Sequence, residues 1–226
     1  KRLIYVSTPS IYFRFNTRVN VTENSALPNR PTNDYVYTNL LAETEINTAF
    51  ANGLPVISIR PRAIFGEGDN AILPRLISRL RTGNLRIIGD AKNITDITYI
   101  DNVVNSLLLC AEAPSTCFGK KYNITNDEPL PLWNLIKRLC DSLGYEYPKK
   151  SISYPVAMTI AGLLEFTHRL LPGQPEPLLT KYMVSVLAQT ATLDISAAKR
   201  DLGYAPKVSI DEGIERFTNW WKKEQA

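Results

Sequence analysis

Apolar residues recur along the chain at spacings that alternate between those of strands and those of helices. Residues 3–6 are a continuous apolar run, which is typical of a strand buried on both faces of a parallel sheet. Residues 34–51 predict a helix, because apolar side chains share one face at Ala42, Ile46, Ala49 and Phe50. Gly53 suits the cap of that helix, and residues 55–60 predict the next buried strand. Two buried strands joined through a helix imply a right-handed βαβ crossover and an α/β fold.

The alternation continues through the rest of the chain in shorter segments. We predict further strands at 85–88 and 122–124, and further helices at 72–81, from about 101 to 111, from Pro131 to Gly144, and from Ser209 onwards. Asp101 is placed to cap the N-terminus of its helix, and Ser209 with Glu212 forms a capping box. The inner face of the last helix is predicted to carry Ile214, Phe217 and Trp221, with Trp220 near the surface.

The composition excludes several classes of function. The chain has 226 residues, of which 44% are hydrophobic and 21% charged, as expected of a globular protein that buries a core. Its net charge of +4 comes from lysines and arginines spread along the chain, so we expect no nucleic-acid partner. The 3 cysteines lack CxxC spacing, and the single histidine, His168, excludes a metal site built on imidazoles. We therefore expect reduced thiols and a cytoplasmic protein.

No segment predicts a signal peptide or a membrane span. The longest uncharged apolar stretch, 154–164, is shorter than the ~20 residues that a transmembrane helix needs. The apolar helix predicted over 154–171 is more often part of a core than a lipid site, and His168 is interpreted as a solvated position on it. Pro172 to Pro177 is interpreted as a stiff connector that lets the following helix fold back.

Candidate chemistry follows the first strand. Ser7 and Thr8 put hydroxyl groups at the carboxyl end of a parallel strand, which is where ligands bind in open α/β sheets. Such a pair more often only caps a turn. Tyr35 and Asn39 open the following helix, and residues four apart share one helix face. We therefore expect both side chains to point at the same strand edge as Thr8.

These residues carry a resemblance to a known family. The chain is similar to the extended short-chain dehydrogenase/reductases, also called the NAD-dependent epimerase/dehydratase family, and nearest to the 3β-hydroxysteroid dehydrogenase/sterol-4α-carboxylate 3-dehydrogenase branch. The matching segments, in chain order, are Ser7-Thr8-Pro9-Ser10-Ile11-Tyr12, Tyr35-x-x-Thr38-Asn39-x-x-Ala42-Glu43, 60–69, 96–104, 122–126 and the ending from Asp194.

The resemblance implies a fold and a domain division. The expected fold is α/β, the C-terminal part of a Rossmann-like doubly wound parallel sheet plus a smaller mixed α/β substrate-binding lobe. Residues 1–66 would be the remainder of the NAD(P)-binding domain. Residues 67–226 would be mostly the substrate lobe, with 85–113 partly returning to the first domain. The resemblance also implies that the apolar helix over 154–171 caps an apolar substrate pocket or lies on a membrane surface. The family's opening strand, glycine-rich turn and helix have no counterpart before Lys1, so we expect an N-terminally truncated chain that is inactive alone.

The resemblance also implies roles for the site residues. Thr8 would orient the substrate oxygen, and Tyr35 would exchange a proton with it as general acid/base. Ser7 and the backbone from Pro61 to Ile64 would lie against the cofactor, NAD or NADP. The family places a lysine at the position of Asn39, which lowers the tyrosine pKa and holds the cofactor ribose. Asparagine can bind a ribose hydroxyl but carries no charge, so we expect an activity deficit.

Three functions stay open at this point. The first is an NAD(P)-dependent oxidoreductase or epimerase that transfers hydride at a secondary alcohol or ketone of a small or lipid-like substrate. For this function we expect no transmembrane span, and the full-length protein could form a homodimer. The second is a catalytically degenerate nucleotide- or ligand-binding module, suggested by Asn39. The third is an unrelated transferase whose nucleotide sits on residues 66–71, which satisfy G-x-G-x-x-G/A. Residues 61–65 separate that loop from its strand, which favours a loop over the substrate pocket instead.

Overall fold

The computed structural model describes residues 1–171, 173, 177 and 179–224. The strands are β1 Leu3–Val6, β2 Arg18–Val21, β3 Val56–Pro61, β4 Ile64–Phe65, β5 Ile87–Ile88, β6 Ile94–Thr95, β7 Thr98–Tyr99, β8 Lys121–Ile124, β9 Leu130–Pro131, β10 Ser151–Ile152 and β11 Ala191–Leu193. The helices are α1 Asp34–Ala51, α2 Leu73–Arg81, α3 Ile100–Glu112, α4 Leu132–Leu143, α5 Tyr154–Arg169, α6 Lys181–Ala188, α7 Ser196–Leu202 and α8 Ile210–Glu224. This is the α/β fold that the sequence predicts.

A parallel sheet in the order β1-β3-β8 carries the N-terminal part of the fold. Every residue of β3 is buried, as its apolar run predicts. The prediction that β1 is buried on both faces is wrong, because β1 lies at the edge of this sheet and Leu3 and Val6 are exposed. The smaller sheets are β5 with β10, β4 with β7, and β2-β11-β6-β9.

Helix α1 has the predicted bounds, and Ala42, Ile46 and Ala49 of its predicted inner face are half-buried. Asn33 caps it by accepting a hydrogen bond from Val36 N at 2.9 Å, and Gly53 follows its end with a φ of +92°. Its buried residues are Val36 and Glu43, whereas Phe50 on the predicted apolar face is exposed. The helix turns Glu43 towards the sheet because that carboxylate pairs with a buried arginine of β3.

The caps of the later helices confirm some sequence predictions and correct one. Gly144 ends α4 in a left-handed conformation, and Ser209 Oγ accepts from Glu212 N at 3.2 Å at the start of α8. Asp101 does not cap α3, which already begins at Ile100. Instead, Asp101 lies in the first turn and accepts a hydrogen bond from Arg216.

A core cluster at the C-terminal side of the fold joins α2, α4 and α8. Ile214 and Phe217 are buried in it, as the inner face of α8 predicts. Trp220 and Trp221 are both half-buried against this cluster, so neither is the fully inward or fully surface residue that the sequence suggested.

Helix α5 differs most from its predicted role as a core helix. Only the small residues Ala157 and Ala161 are fully buried, because α5 packs closely against α6 through them. The large apolar side chains of this segment are exposed and include Val156, Ile160, Leu163, Phe166, Leu170 and Leu171. In the part of the chain that the structure describes, no helix is long and apolar enough to span a bilayer. Most of the predicted connector from Pro172 to Pro177 lies outside the described residues.

Gly213 allows α8 to approach the core closely. A Cβ atom at this position would lie 2.7 Å from Tyr99 Cδ2 and 3.0 Å from Phe65 Cζ. We expect Gly213→Ala to lower the free energy of unfolding by about 1–3 kcal/mol, because overpacking outweighs alanine's higher helix propensity. Urea unfolding of this variant and of Asn219→Ala, at an exposed position of the same helix, measures the effect. A Gly213→Ala variant as stable as Asn219→Ala would contradict it.

Candidate functional site

The hydroxyl groups that follow β1 have different surroundings. Ser7 is buried, and its Oγ donates a hydrogen bond to Glu43 Oε1 at 2.5 Å. Thr8 is buried too, and its Oγ1 accepts from Ser10 N at 3.2 Å, which caps the short 3-10 helix Pro9–Tyr12. Thr8 therefore has the turn-capping role that a purely structural interpretation gives it. Its hydroxyl proton is not used by that bond and can be donated to a ligand.

Tyr35 and Asn39 lie on the first two turns of α1. Tyr35 is 56% exposed, so its hydroxyl is accessible to a ligand. The Asn39 side chain donates from Nδ2 to the backbone oxygen of Tyr35 at 2.8 Å. This bond ties the amide to its own helix. Burial, followed by the Glu43 carboxylate and the Tyr35 phenol, raises the pKa of Tyr5, which places Tyr5 close to both groups.

One large cavity gathers the predicted site residues. It has a volume of about 1920 Å³, and its walls include Ser7, Thr8, Tyr35, Asn39, Pro61 and Ile64. The opposite walls are largely apolar and come from α2, α4, α5 and α6, including Leu76, Leu135, Ile136, Ile160, Met183 and Leu187. The volume exceeds the roughly 300–1,000 Å³ of a typical small-molecule site. The cavity therefore has room for more than one small ligand.

A buried ion pair lies directly behind Ser7. The guanidinium of Arg60 on β3 donates from Nε to Glu43 Oε1 at 2.8 Å and from Nη2 to Glu43 Oε2 at 2.5 Å. Burial by itself would lower the pKa of Arg60, but its hydrogen bonds to Glu43 and Tyr12 and the charge interactions with both together outweigh burial and raise that pKa. The same Glu43 oxygen that accepts from Arg60 Nε also accepts from Ser7. The pair thereby fixes the end of β1 against α1.

The network extends through Tyr12 to β8. Arg60 Nη1 donates to the Tyr12 hydroxyl, which donates to Asn123 Oδ1 at 3.2 Å. Burial is the main reason why the pKa of Tyr12 is raised to about 12, so this phenol stays protonated at neutral pH. Asn123 N donates to Glu23 Oε1 at 2.7 Å. The network connects β1, β3 and β8 beneath the cavity.

Glu43 and Arg60 belong to sequence motifs, but those motifs do not predict this network. A usable signal was present, since an arginine inside an otherwise apolar strand is buried only with a partner. Glu43 supplies that partner because it lies two helical turns after Tyr35 on the face that meets the sheet.

The glycine loop at 66–71 has no room for a phosphate at the helix that follows it. Asp69 accepts hydrogen bonds from Ala71 N and Ile72 N through Oδ1, at 2.8 and 3.1 Å, and from Leu73 N through Oδ2 at 2.9 Å. A carboxylate of the chain itself thus occupies the N-terminal amides of α2. The loop lines the large cavity.

Comparison with known proteins identifies the family of this α/β chain. Residues 1–156 match the 3-beta hydroxysteroid dehydrogenase/isomerase family. The chain belongs to this family. The branch of the extended short-chain dehydrogenase/reductases predicted from the motifs is therefore confirmed, and an unrelated transferase is excluded.

Two curated proteins that are similar to this chain carry the names of enzymes. The 2-alkyl-3-oxoalkanoate reductase of Stenotrophomonas maltophilia is 37% identical over 96% of this chain and 67% of that protein. The 3beta-hydroxysteroid-dehydrogenase/decarboxylase isoform 2 of Arabidopsis thaliana is 39% identical over 96% of this chain and 40% of that protein. The chain thus spans between 40% and 67% of the length of these curated relatives.

A solved structure has the same fold as the present chain. The UDP-glucuronic acid 4-epimerase from Bacillus cereus, in complex with NAD, matches with a TM-score of 0.73 at 22% identity. The match covers 100% of this chain and 63% of that chain. At this identity the likeness shows the fold alone, which is the predicted Rossmann-like one.

Proposed function

We propose that the protein is an NAD(P)-dependent oxidoreductase that transfers hydride at a secondary alcohol or ketone of a lipid-like 3-hydroxy or 3-oxo substrate. The observation that carries this proposal is the common position of Thr8, Tyr35 and Asn39 on one large cavity with apolar walls. Family membership supports it. The division into a cofactor domain over 1–66 and a substrate lobe over 67–226, with a return at 85–113, is part of the same proposal.

In this proposal the side chains hold and move one proton. Thr8 donates a hydrogen bond from its hydroxyl to the substrate oxygen and so orients the substrate. The hydroxyl proton is free for this because Thr8 Oγ1 only accepts in its other hydrogen bond, from Ser10 N. Tyr35 exchanges a proton with the same oxygen as general acid or base. The buried pair of Glu43 and Arg60 keeps Ser7, and with it the neighbouring Thr8, in place.

The described residues fit the nicotinamide end of the cofactor. Asn39 offers an amide that can bind a ribose hydroxyl, and Pro61 to Ile64 line the cavity at the carboxyl edge of β3. When bound, NAD or NADP supplies the hydride acceptor or donor. A glycine turn for the pyrophosphate is not found among the described residues, since Asp69 fills the amides of the one candidate loop. The activity is therefore proposed for the whole protein that carries this chain.

The substrate class follows from the cavity and the relatives. Apolar side chains from four helices suit an alkyl or ring body, and a nearby relative reduces 2-alkyl-3-oxoalkanoates by name. We therefore include in the proposed substrate a carboxylate that is separated from the reacting carbon by one carbon atom. The cytoplasmic location and a homodimer also remain proposals.

One observation favours a second function, a nucleotide- or ligand-binding module without turnover. Asn39 stands where the family has a lysine, and its amide is bonded to its own helix backbone rather than directed at the Tyr35 hydroxyl. Because Asn39 carries no charge, it does not stabilise the phenolate form of Tyr35.

Asn39→Lys separates the two functions. An ammonium one helical turn from Tyr35 favours the phenolate electrostatically, so we expect turnover to rise about 10- to 100-fold at neutral pH. The assay follows NADH or NADPH formation from 3-hydroxydecanoate by the whole protein. Thr38→Lys is the matched control, because it adds the same charge at an exposed position outside the cavity walls.

The outcomes point in different directions. A rise with Asn39→Lys but not with Thr38→Lys supports the oxidoreductase. Cofactor binding with no turnover in any of the three proteins would favour the binding module. Equal turnover of the native protein and Asn39→Lys would show that Asn39 causes no deficit.

A further inference from the structure

A small side cavity lies behind the 3-10 helix Pro9–Tyr12, next to the large one. Its volume is about 40 Å³, enough for a few water molecules or a small anionic group. Pro9, Arg62 and Val186 line both cavities and so form the wall between them. Pro9 directly follows Thr8, which places this wall beside the proposed reaction centre.

The side cavity is strongly cationic. Arg14, Arg18 and Arg62 all contribute to its walls, and none of the described residues that line it is an aspartate or glutamate. Arg14 and Arg18 donate to backbone oxygens, at 3.3 Å to Leu27 and at 3.1 Å to Tyr12. Neutral carbonyl oxygens leave the guanidinium charges uncompensated, so the wall attracts an anion.

Arg62 has the least satisfied side chain of the three. Its backbone is fixed by a hydrogen bond from Arg62 N to Ile124 O at 3.0 Å and by one from Thr98 Oγ1 to Arg62 O at 2.6 Å. Within the described part of the chain, its buried Nε has no hydrogen-bond partner. A buried donor without a partner is costly, and a ligand oxygen would remove that cost.

The buried carboxyl group of Asp96 does not satisfy Arg62. Asp96 is buried and accepts from Leu193 N at 2.7 Å, and burial raises its pKa although the charge of Arg62 opposes this. The structure shows no direct ion pair between the two among the described residues. Asp96 therefore interacts with Arg62 only at a distance, and Nε keeps no hydrogen-bond partner among the described residues.

We propose that Arg62 binds the carboxylate of the 3-hydroxy or 3-oxo acid whose oxygen is held by Thr8 and Tyr35, with Arg18 and Arg14 strengthening the positive potential behind it. In such an acid the carboxylate carbon is separated from the reacting carbon by a single carbon atom, so it must lie close to Thr8. A guanidinium matches a carboxylate with parallel hydrogen bonds. Arg62 thereby distinguishes acids from neutral ketones. The inference rests on the proposed function for its substrate, but binding alone can test it.

The test compares an acid with its neutral ester. Isothermal titration calorimetry of the full chain with 3-hydroxydecanoate and with methyl 3-hydroxydecanoate measures both affinities. We expect Arg62→Gln to weaken binding of the acid about 10- to 100-fold, as expected for loss of charged hydrogen bonds, and to leave ester binding unchanged. Arg62→Lys keeps the charge without the planar group and should lose less.

Controls separate this role from a structural one. Arg81→Gln removes an exposed arginine of α2 that lines neither cavity and should change neither affinity. Circular dichroism checks folding, and if Arg62→Gln does not fold, Arg18→Gln should still reduce the preference for the acid. Equal loss of acid and ester binding in Arg62→Gln, or no preference for the acid in the native chain, including no binding of either, would overturn the inference. Acid binding through Arg62 without turnover would refute only the proposed function.

Discussion

Replacement of Glu43 by alanine is expected to lower the free energy of unfolding by about 3–5 kcal/mol. The side chains of Arg60 and Glu43 are only 3% and 6% exposed, so the variant leaves a buried guanidinium without its counter-ion. Ser7 loses its acceptor at the same time. The midpoint and slope of urea unfolding, followed by tryptophan fluorescence, give the change.

Two further variants show whether the cause is the unpaired charge. Glu45→Ala, at an exposed position of the same helix, should change stability by less than about 0.5 kcal/mol. Replacing both partners, Glu43→Leu with Arg60→Met, should recover much of the loss, because no buried charge then remains. If the double variant were as unstable as Glu43→Ala, the loss would come from packing rather than from the ion pair.

Tyr35→Phe is expected to reduce turnover about 100- to 10,000-fold, which is the usual contribution of a general acid or base. The substitution removes the hydroxyl but keeps the ring on the cavity wall. The measurement uses the whole protein with 3-hydroxydecanoate and NAD or NADP, in the native background and with Asn39→Lys. The Asn39→Lys background gives the larger range, because turnover there is expected to be higher.

Tyr37→Phe is the matched control for this loss. Tyr37 lies on the same turn of α1, is exposed to a similar degree at 50%, and does not line the cavity. Its hydroxyl should be dispensable. A loss of turnover in Tyr37→Phe as large as that in Tyr35→Phe would mean that the effect arises from the helix and not from the proton exchange.

Local patterns along the chain were sufficient for most helices and for β1, β3, β5 and β8, but they did not predict the other strands of the described residues. The bounds of α1, the strands β1 and β3, and the glycine that ends α4 follow from apolar spacing and from capping residues, which act over a few neighbours. Asp101 shows the limit of this reasoning. It is a good capping residue type, yet α3 begins one residue earlier and Asp101 pairs with Arg216 from α8 instead.

Which side chains are buried depends on which helices and strands pack together. The spacing of apolar residues within one element does not show this. The apolar positions of α5 predicted a core helix, but close packing against α6 uses its alanines and leaves the larger side chains outside. In α1 the decisive inward residue is the charged Glu43, because a buried arginine on β3 compensates it. Which face of a helix is buried depends on the elements that pack against it as well as on its own apolar residues.

The sequence by itself determined the family, the α/β fold, and the residues Ser7, Thr8, Tyr35, Asn39, Pro61 and Ile64 as one candidate site, because motif order and helix periodicity are local properties of the chain. Only the tertiary structure decided that these residues share a cavity of about 1920 Å³, that Arg60 and Glu43 support it, and that Arg62 faces a cationic side cavity. Those features depend on contacts between residues far apart in the chain, and no local pattern encodes their distances.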